Sequence, residues 1–244
     1  MSRALVVGGA NGIGLSIATE LAKRDDYDKV YIVDRSAIAA EHQHPKFEQR
    51  EFDLLNEDYS IFDGYSDVDT LMITAGFGRL ALFENLDEQH IINLMNVNTT
   101  ATLRIIHHFY PKIRACEDFY CGVMVSIAGF ISSPFFSVYG ASKAALKIFI
   151  ESVNVELEKG GTTNRILNVS PGSIKGTSFN QGATELETTA PLANEIIDHL
   201  LHKDDLFIPQ YDEIFKHVLE RYNRDFREEG RHSYEYKLNS GRIK

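Results

Sequence analysis

Apolar residues recur along the chain in two alternating rhythms. Short, unbroken, β-branched runs occupy residues 4–7, 30–33, 68–74, 122–126, 165–169 and 206–208, and a further strand is expected over 47–53. Runs without polar alternation read as strands buried on both faces. Between them apolar positions return at helical spacing, over 12–23, over 87–114 as one helix or two in succession, over 138–158, over 191–202 and over 211–224. Strands alternating with helices make βαβ units, and such units build a parallel sheet covered on both faces. The expected fold is therefore α/β, a Rossmann-type doubly wound parallel sheet of about seven strands. One domain is expected over 1–244, since nothing before Ile208 reads as an interdomain linker. A Gly/Ser/Thr/Asn-rich stretch over 175–191 reads as a loop beside the substrate. Residues 211–244 read as a C-terminal helix and a charged, turn-rich tail without assignment.

The first strand runs into Gly8-Gly9-Ala10-Asn11-Gly12-Ile13-Gly14 and then into a helix. A strand-to-helix turn without side chains lets backbone N–H groups approach a pyrophosphate, and the helix dipole adds attraction. The spacing is G-x-x-x-G-x-G, and its position after a buried strand makes it informative. Asp34 stands 20 residues after Gly14, at the end of the second strand. A carboxylate there accepts hydrogen bonds from ribose hydroxyls and repels a 2′-phosphate, which favours NAD(H) over NADP(H). The adjacent Arg35 softens that discrimination and keeps NADP(H) open. Asp53, at the end of the third strand, is a candidate for the adenine rim.

On the long fourth helix, Tyr139 and Lys143 are four residues apart and share a face. An ammonium beside a phenol favours the phenolate, moving its pKa from near 10 toward working pH, where general acid/base catalysis is effective. Ser126 lies 13 residues before Tyr139, at the end of the fifth strand. In a doubly wound sheet, ligands bind at the carboxyl ends of the strands, so Gly8, Asp34 and Ser126 converge there.

Composition narrows the partners. Lys plus Arg number 25 against 35 Asp plus Glu, a formal charge of −10. Such a surface repels phosphate backbones and anionic lipid, so neither nucleic acid nor membrane is an expected partner. No apolar run is long enough to cross a bilayer, and glycines interrupt the stretch after Arg3 that would otherwise resemble an export signal. The cytoplasm is the expected compartment. His42 and His44 read as a surface loop and no metal is expected. The run 221–231 reads as a solvated, mixed-sign surface. Phe130, Phe135, Phe136 and Phe179 are either core or pocket wall, and as wall they imply a substrate with an apolar part.

Together G-x-x-x-G-I-G, the strand-end Asp34, Thr74-Ala75-Gly76, Ser126 and Tyr139-x-x-x-Lys143 resemble the short-chain dehydrogenase/reductase family, in its short branch, over roughly residues 3–210. The resemblance implies hydride transfer between NAD(H) and a secondary alcohol or ketone. It gives Tyr139 the acid/base role, Lys143 the phenol and the nicotinamide ribose, Ser126 the substrate oxygen, and Asn98 a water for proton relay. It puts Gly8, Gly12, Ile13 and Gly14, with Asn11 in the same turn, at the pyrophosphate, Asp34 with Arg35 at the adenosine ribose, and Asp53-Leu54 at the adenine. Ala75-Gly76 would lie beside the cofactor, with Pro171, Gly172 and Ile174 at the nicotinamide. A homotetramer or dimer packed through the helices carrying Asn98 and Tyr139 is also implied. Three features depart from the family pattern. Ile73-Thr74 replaces the usual Asn-Asn, with Thr74 as the substitute. Gly176 stands where a Thr is usual, with Thr177 one later. A long polar tail follows Pro209. These departures leave a second reading, a cofactor-binding regulatory or sensing protein with little turnover.

Overall fold

The computed structural model describes residues 1–177, 179 and 183–240. Seven strands form one sheet: β1 Ser2–Val7, β2 Tyr27–Asp34, β3 Phe47–Glu51, β4 Thr70–Ile73, β5 Tyr120–Met124, β6 Ile166–Val169 and β7 Leu206–Phe207. Their order is β3-β2-β1-β4-β5-β6-β7, and every neighbouring pair is parallel. The Rossmann-type arrangement expected from the alternation of runs is the one observed.

Strand alternation explains the unbroken apolar runs. Leu5, Val7, Tyr31, Val33, Leu71 and Ile73 point into one core, and Ala4, Val6, Val30, Ile32 and Met72 into the other. The first core is closed by helices α3 (Ala101–Ile113) and α4 (Ser137–Lys159). The second is closed by α1 (Gly12–Lys23) and α5 (Leu186–Leu201). With both faces covered, each strand must be apolar on both sides.

The expected helix over 87–114 is two helices with an irregular joint. Asp87 caps α2 (Glu88–Met95) by accepting the His90 N–H at 2.7 Å. A π-helical turn, Asn96–Thr100, then leads into α3. The α5 helix starts at Leu186, so the expected loop over 175–191 is helical in its second half and Pro191 lies within the helix. Proline this early in a helix forfeits a single backbone bond, so the apolar stripe prevails. Positions 178 and 180–182 of that loop lie outside the described residues.

The C-terminal segment departs most from expectation. A π-helical turn, Tyr211–Phe215, leads into α6 (Lys216–Arg224), and the stretch taken as a turn-rich tail contains a further helix, α7 (Phe226–Asn239). Asp225 accepts the Arg227 N–H at 2.8 Å, Glu228 and Glu229 stand in the first turn and Lys237 in the last. This polarity complements the helix dipole. Residues 241–244 of the expected tail lie outside the described residues.

Beyond its own fold, α7 is fastened to the segment before α4. The Ser132 hydroxyl donates to Phe226 O at 2.9 Å, and Lys237 Nζ donates to Ser133 Oγ and Pro134 O, both at 2.7 Å. Phe135 packs its ring against Tyr234, with centroids 4.6 Å apart. The helix read as tail is therefore tied to the chain that joins Ser126 to Tyr139.

Candidate active site

The strand order reverses at β1, whose neighbours β2 and β4 lead to opposite halves of the sheet. A crevice opens at the carboxyl ends of the strands at such a switch point. Here it is a cleft of about 980 Å³. Every residue expected at the cofactor lines it, as do Ser126, Tyr139 and Lys143. Asn98 does not reach the cleft surface.

The cradle of the first turn depends on missing side chains. At Gly8, where φ is +86°, a Cβ would stand 2.4 Å from Ala75 N. At Gly14 it would stand 2.2 Å from Gly8 O and 2.3 Å from Thr74 Oγ1. Turn and β4 end are thus in direct backbone contact. Thr74 Oγ1 lies 3.1 Å from Val7 O and 3.0 Å from Gly8 O, so the hydroxyl fills the bridging place left by the absent Asn. The Gly12 N–H, a donor of the first turn of α1 with no partner within the helix, donates to Thr184 Oγ1 at 2.9 Å. That donor and the bare turn suit an anionic diphosphate.

Asp34 stands beside this turn. Its carboxylate accepts the Ala10 N–H and the Ser36 N–H, each at 3.0 Å. It therefore shapes the turn as well as bounding the cleft next to Arg35. Asp53 accepts the Leu55 N–H at 2.9 Å and holds the loop after β3. The residues present fit a dinucleotide: a glycine cradle for phosphates, a carboxylate for ribose hydroxyls and an apolar slot.

At the other end of the cleft, Ser126 Oγ accepts the Ala128 N–H at 3.1 Å and lies 3.5 Å from Pro171 O. Its placement follows from β5 running out at Met124 into a tight helical turn. Tyr139 and Lys143 share the buried face of α4. Lys143 is 2% exposed, and its ammonium donates to Met124 O at 2.8 Å. Burial pulls it down to about 8. Burial likewise pushes the Tyr139 phenol up to about 12, with its hydrogen bond to Ser126 acting against that rise. Burial outweighs the lowering expected from Lys143. The ammonium is 5.7 Å from the Tyr139 ring centroid and spends a donor on a carbonyl, so desolvation dominates.

Asn98 works from behind the surface. Fully buried, it accepts the Phe77 N–H at 2.9 Å and donates to Phe77 O at 2.9 Å and to Ser142 Oγ at 3.1 Å. A Cβ on Gly76 would lie 3.2 Å from Asn98 Oδ1 and 3.4 Å from Lys143 Nζ. The chain after β4, the π-turn and α4 therefore meet at one point. Asn98 lies within the π-turn, and its own carbonyl accepts from Thr102 Oγ1 at 3.2 Å.

Of the four phenylalanines singled out, two are wall. Phe136 and Phe179 pack at 5.1 and 5.4 Å from the Tyr139 ring, all three over Gly78. Phe130 and Phe135 do not line the cleft; Phe135 belongs with Tyr234. The C-terminal residues Phe215, Val218, Arg221, Glu229 and Tyr236 line it too, and none was expected there. The reading of 221–231 as a solvated surface is corrected: Glu229 is 3% exposed and ion-paired with Arg221. The capping pattern Asp225-x-x-Glu228 was the available signal for α7.

The family model for short chain dehydrogenases matches residues 2–188, and the chain belongs to that family. Retinol dehydrogenase 8 of Bos taurus is 29% identical over 62% of this chain and 48% of its own. The chain spans 32% to 65% of the length of the first four curated relatives it matches. A Burkholderia phymatum short chain dehydrogenase/reductase, solved with NAD, superposes with TM-score 0.79 at 14% identity, covering 93% and 94% of the two chains. A Sphingobium yanoikuyae short-chain dehydrogenase, solved with NADPH, gives 0.74 at 20% identity, covering 92% and 96%. At these identities the structures speak for the fold.

Replacing Asn98 by Leu strands the Phe77 N–H and carbonyl in the interior. The expected loss is about 2–3 kcal/mol of stability, read from urea denaturation. A loss within 0.5 kcal/mol would remove Asn98 from the frame of the site.

Proposed function

We propose that the chain is an NAD(P)-dependent oxidoreductase acting on a secondary alcohol or the corresponding ketone. The observation that carries this reading is the grouping of Ser126, Tyr139 and Lys143 in the same cleft as the glycine turn. A bound nicotinamide would supply hydride donation and acceptance. Gly8, Gly12 and Gly14 would hold its diphosphate, Asp34 its adenosine ribose, and Pro171, Gly172 and Ile174 its nicotinamide end. Tyr139 gives its proton to the carbonyl oxygen in reduction and takes it back in oxidation. Ser126 donates a hydrogen bond to the same oxygen and fixes it against the phenol. Lys143 keeps positive charge beneath the phenol, and Asn98 positions the chain under both. Phe136 and Phe179 exclude water and take an apolar substrate body.

Tyr139→Phe keeps the ring and removes the proton. Turnover is expected to fall about 10³-fold, with NADH affinity unchanged in a fluorescence titration. The chain has no Trp, so the signal is that of the nicotinamide. Joint loss of turnover and binding would make Tyr139 structural. The sign of the pH dependence follows from burial. With the phenol pushed up to about 12, it is protonated at neutral pH. Reduction should therefore be level from about pH 5 to 7 and fall as Lys143 loses its charge near 8, whereas oxidation, which needs phenolate, should climb by up to about tenfold per unit below that point.

Cofactor choice rests on Asp34. NADH is expected to bind about tenfold or more tightly than NADPH, because the carboxylate repels a 2′-phosphate. Asp34→Asn keeps an acceptor for the Ala10 and Ser36 N–H groups and removes the charge. In that variant the preference should shrink to within about threefold. Equal affinities in the unaltered protein would assign the ribose pocket to Arg35.

The assembly reading is a homotetramer or dimer. It is supported by Ile148 and Val155, seven residues apart on the outer face of α4 and 58% and 57% exposed. Light scattering should give two or four chains, and Ile148→Glu with Val155→Glu should give one. A monomer before substitution ends this reading.

A further inference from the structure

The two C-terminal helices bring a second polar cluster into the cleft. Phe215, Val218 and Arg221 recur every three residues, so one face of this segment fronts the cavity. Phe215 fixes the near end of that face. A Cβ on Gly172 would stand 2.5 Å from Phe215 Cζ, so the ring lies directly on the Pro171-Gly172 strand end. Arg221 is six residues further on, about 9 Å along the helix axis. There its Nε donates to Glu229 Oε2 of α7. Among the described residues, the outer guanidinium N–H groups and the second carboxylate oxygen have no other hydrogen-bond partner. Both side chains line the cleft, whose wall also carries the apolar Val218, Ile214 and Phe136.

A carboxylate 3% exposed beside a guanidinium is costly to bury, and hydrogen bonds to its free edges would offset that cost. The pair carries no net charge and offers donors and an acceptor side by side. A second carboxylate there would meet Glu229 as well as Arg221. A hydroxyl can accept from the guanidinium and donate to the carboxylate, and a carbonyl can accept from the guanidinium. We propose that Arg221 and Glu229 form a specificity subsite for an uncharged oxygen, hydroxyl or carbonyl, at the far end of an apolar substrate whose other end carries the reacting carbonyl. The subsite rests on the oxidoreductase reading above and names the substrate class for it. A saturated fatty chain or a simple alkyl ketone lacks the distal group and is a poor substrate.

Two ketones of equal body test this. 4-(4-Hydroxyphenyl)cyclohexanone carries a distal hydroxyl, and 4-phenylcyclohexanone does not. The readout is the ratio of their kcat/KM values, which general damage to the enzyme does not move. The unaltered protein should favour the hydroxylated ketone about tenfold. Arg221→Met combined with Glu229→Leu removes both charges and every polar atom of the pair, and the ratio should fall to about one. A ratio near one in the unaltered protein, or a tenfold ratio surviving in the double variant, overturns the subsite and leaves the pair a lock between helices. If the unaltered protein turns over neither ketone, the oxidoreductase reading fails on these substrates. Calorimetric titration of both ketones into NADH-saturated protein then decides the subsite alone. Tighter binding of the hydroxylated ketone, lost in the double variant, sustains it; equal binding, or none, overturns it.

Discussion

Lys143 is the point on which the site hangs. Its ammonium sits inside the protein and donates to the Met124 carbonyl at the last residue of β5. That bond ties the long α4 helix to the carboxyl edge of the sheet, and so sets where Tyr139, one turn earlier, meets the cleft. Burying an ammonium against a neutral carbonyl is unfavourable, as its fall to about 8 records. The surroundings hold it there by over-determination. Gly76 leaves room for Nζ, Asn98 fixes the chain after β4, and Gly129 allows the turn after β5 to lie against the Lys143 backbone, where a Cβ would come within 2.7 Å. Three crossings of the chain are needed to keep one side chain in an unfavourable place. Such concentration of cost in one cleft is a property that functional sites share.

The sheet was legible because its signal is local. A strand covered on both faces must be apolar throughout, and a crossover helix must show an apolar stripe, so β1, α1, β2, β5 and α4 each declare themselves within about a dozen residues. The edges were less legible. β3 carries Glu48, Gln49, Arg50 and Glu51, since an edge strand has fewer neighbours to bury it. The start of α5 was hidden by Pro191, whose usual meaning as a helix breaker fails near a helix start.

Within the site, legibility followed spacing. Tyr139 and Lys143 lie on one helix, and Gly8 to Gly14 on one turn, so sequence distance stands for spatial distance. Asn98 could be named but not oriented, because its inward turn depends on a π-helical joint set by packing against Phe77 and Ser142. The weight of burial at Tyr139 was not legible for the same reason. An i to i+4 spacing says that two groups share a face; it does not say that one of them spends its donor on a carbonyl elsewhere. The wall from α6 and α7 was invisible as a wall. Its charged members, Arg221, Glu229 and Lys237, read as surface until a partner helix and a cavity edge cover them.

The chain thus divides its tasks along its length. The glycine turn, Asp34, Asn98, Ser126, Tyr139 and Lys143 all fall within residues 2–188, the part that the family model matches. Phe215, Val218, Arg221 and Glu229 fall outside it, yet line the same cleft. Similarity over the matched part bears on the glycine turn, Ser126, Tyr139 and Lys143, because those residues are the ones being compared. It does not bear on the far wall, which a different length of chain supplies. The two parts are nevertheless joined physically. Lys237 and Ser132 fasten α7 to the segment that leads from Ser126 to Tyr139. A change in the C-terminal helices therefore reaches the segment before Tyr139 through three hydrogen bonds and the Phe135–Tyr234 contact, and this coupling keeps the far wall in register with Ser126 and Tyr139.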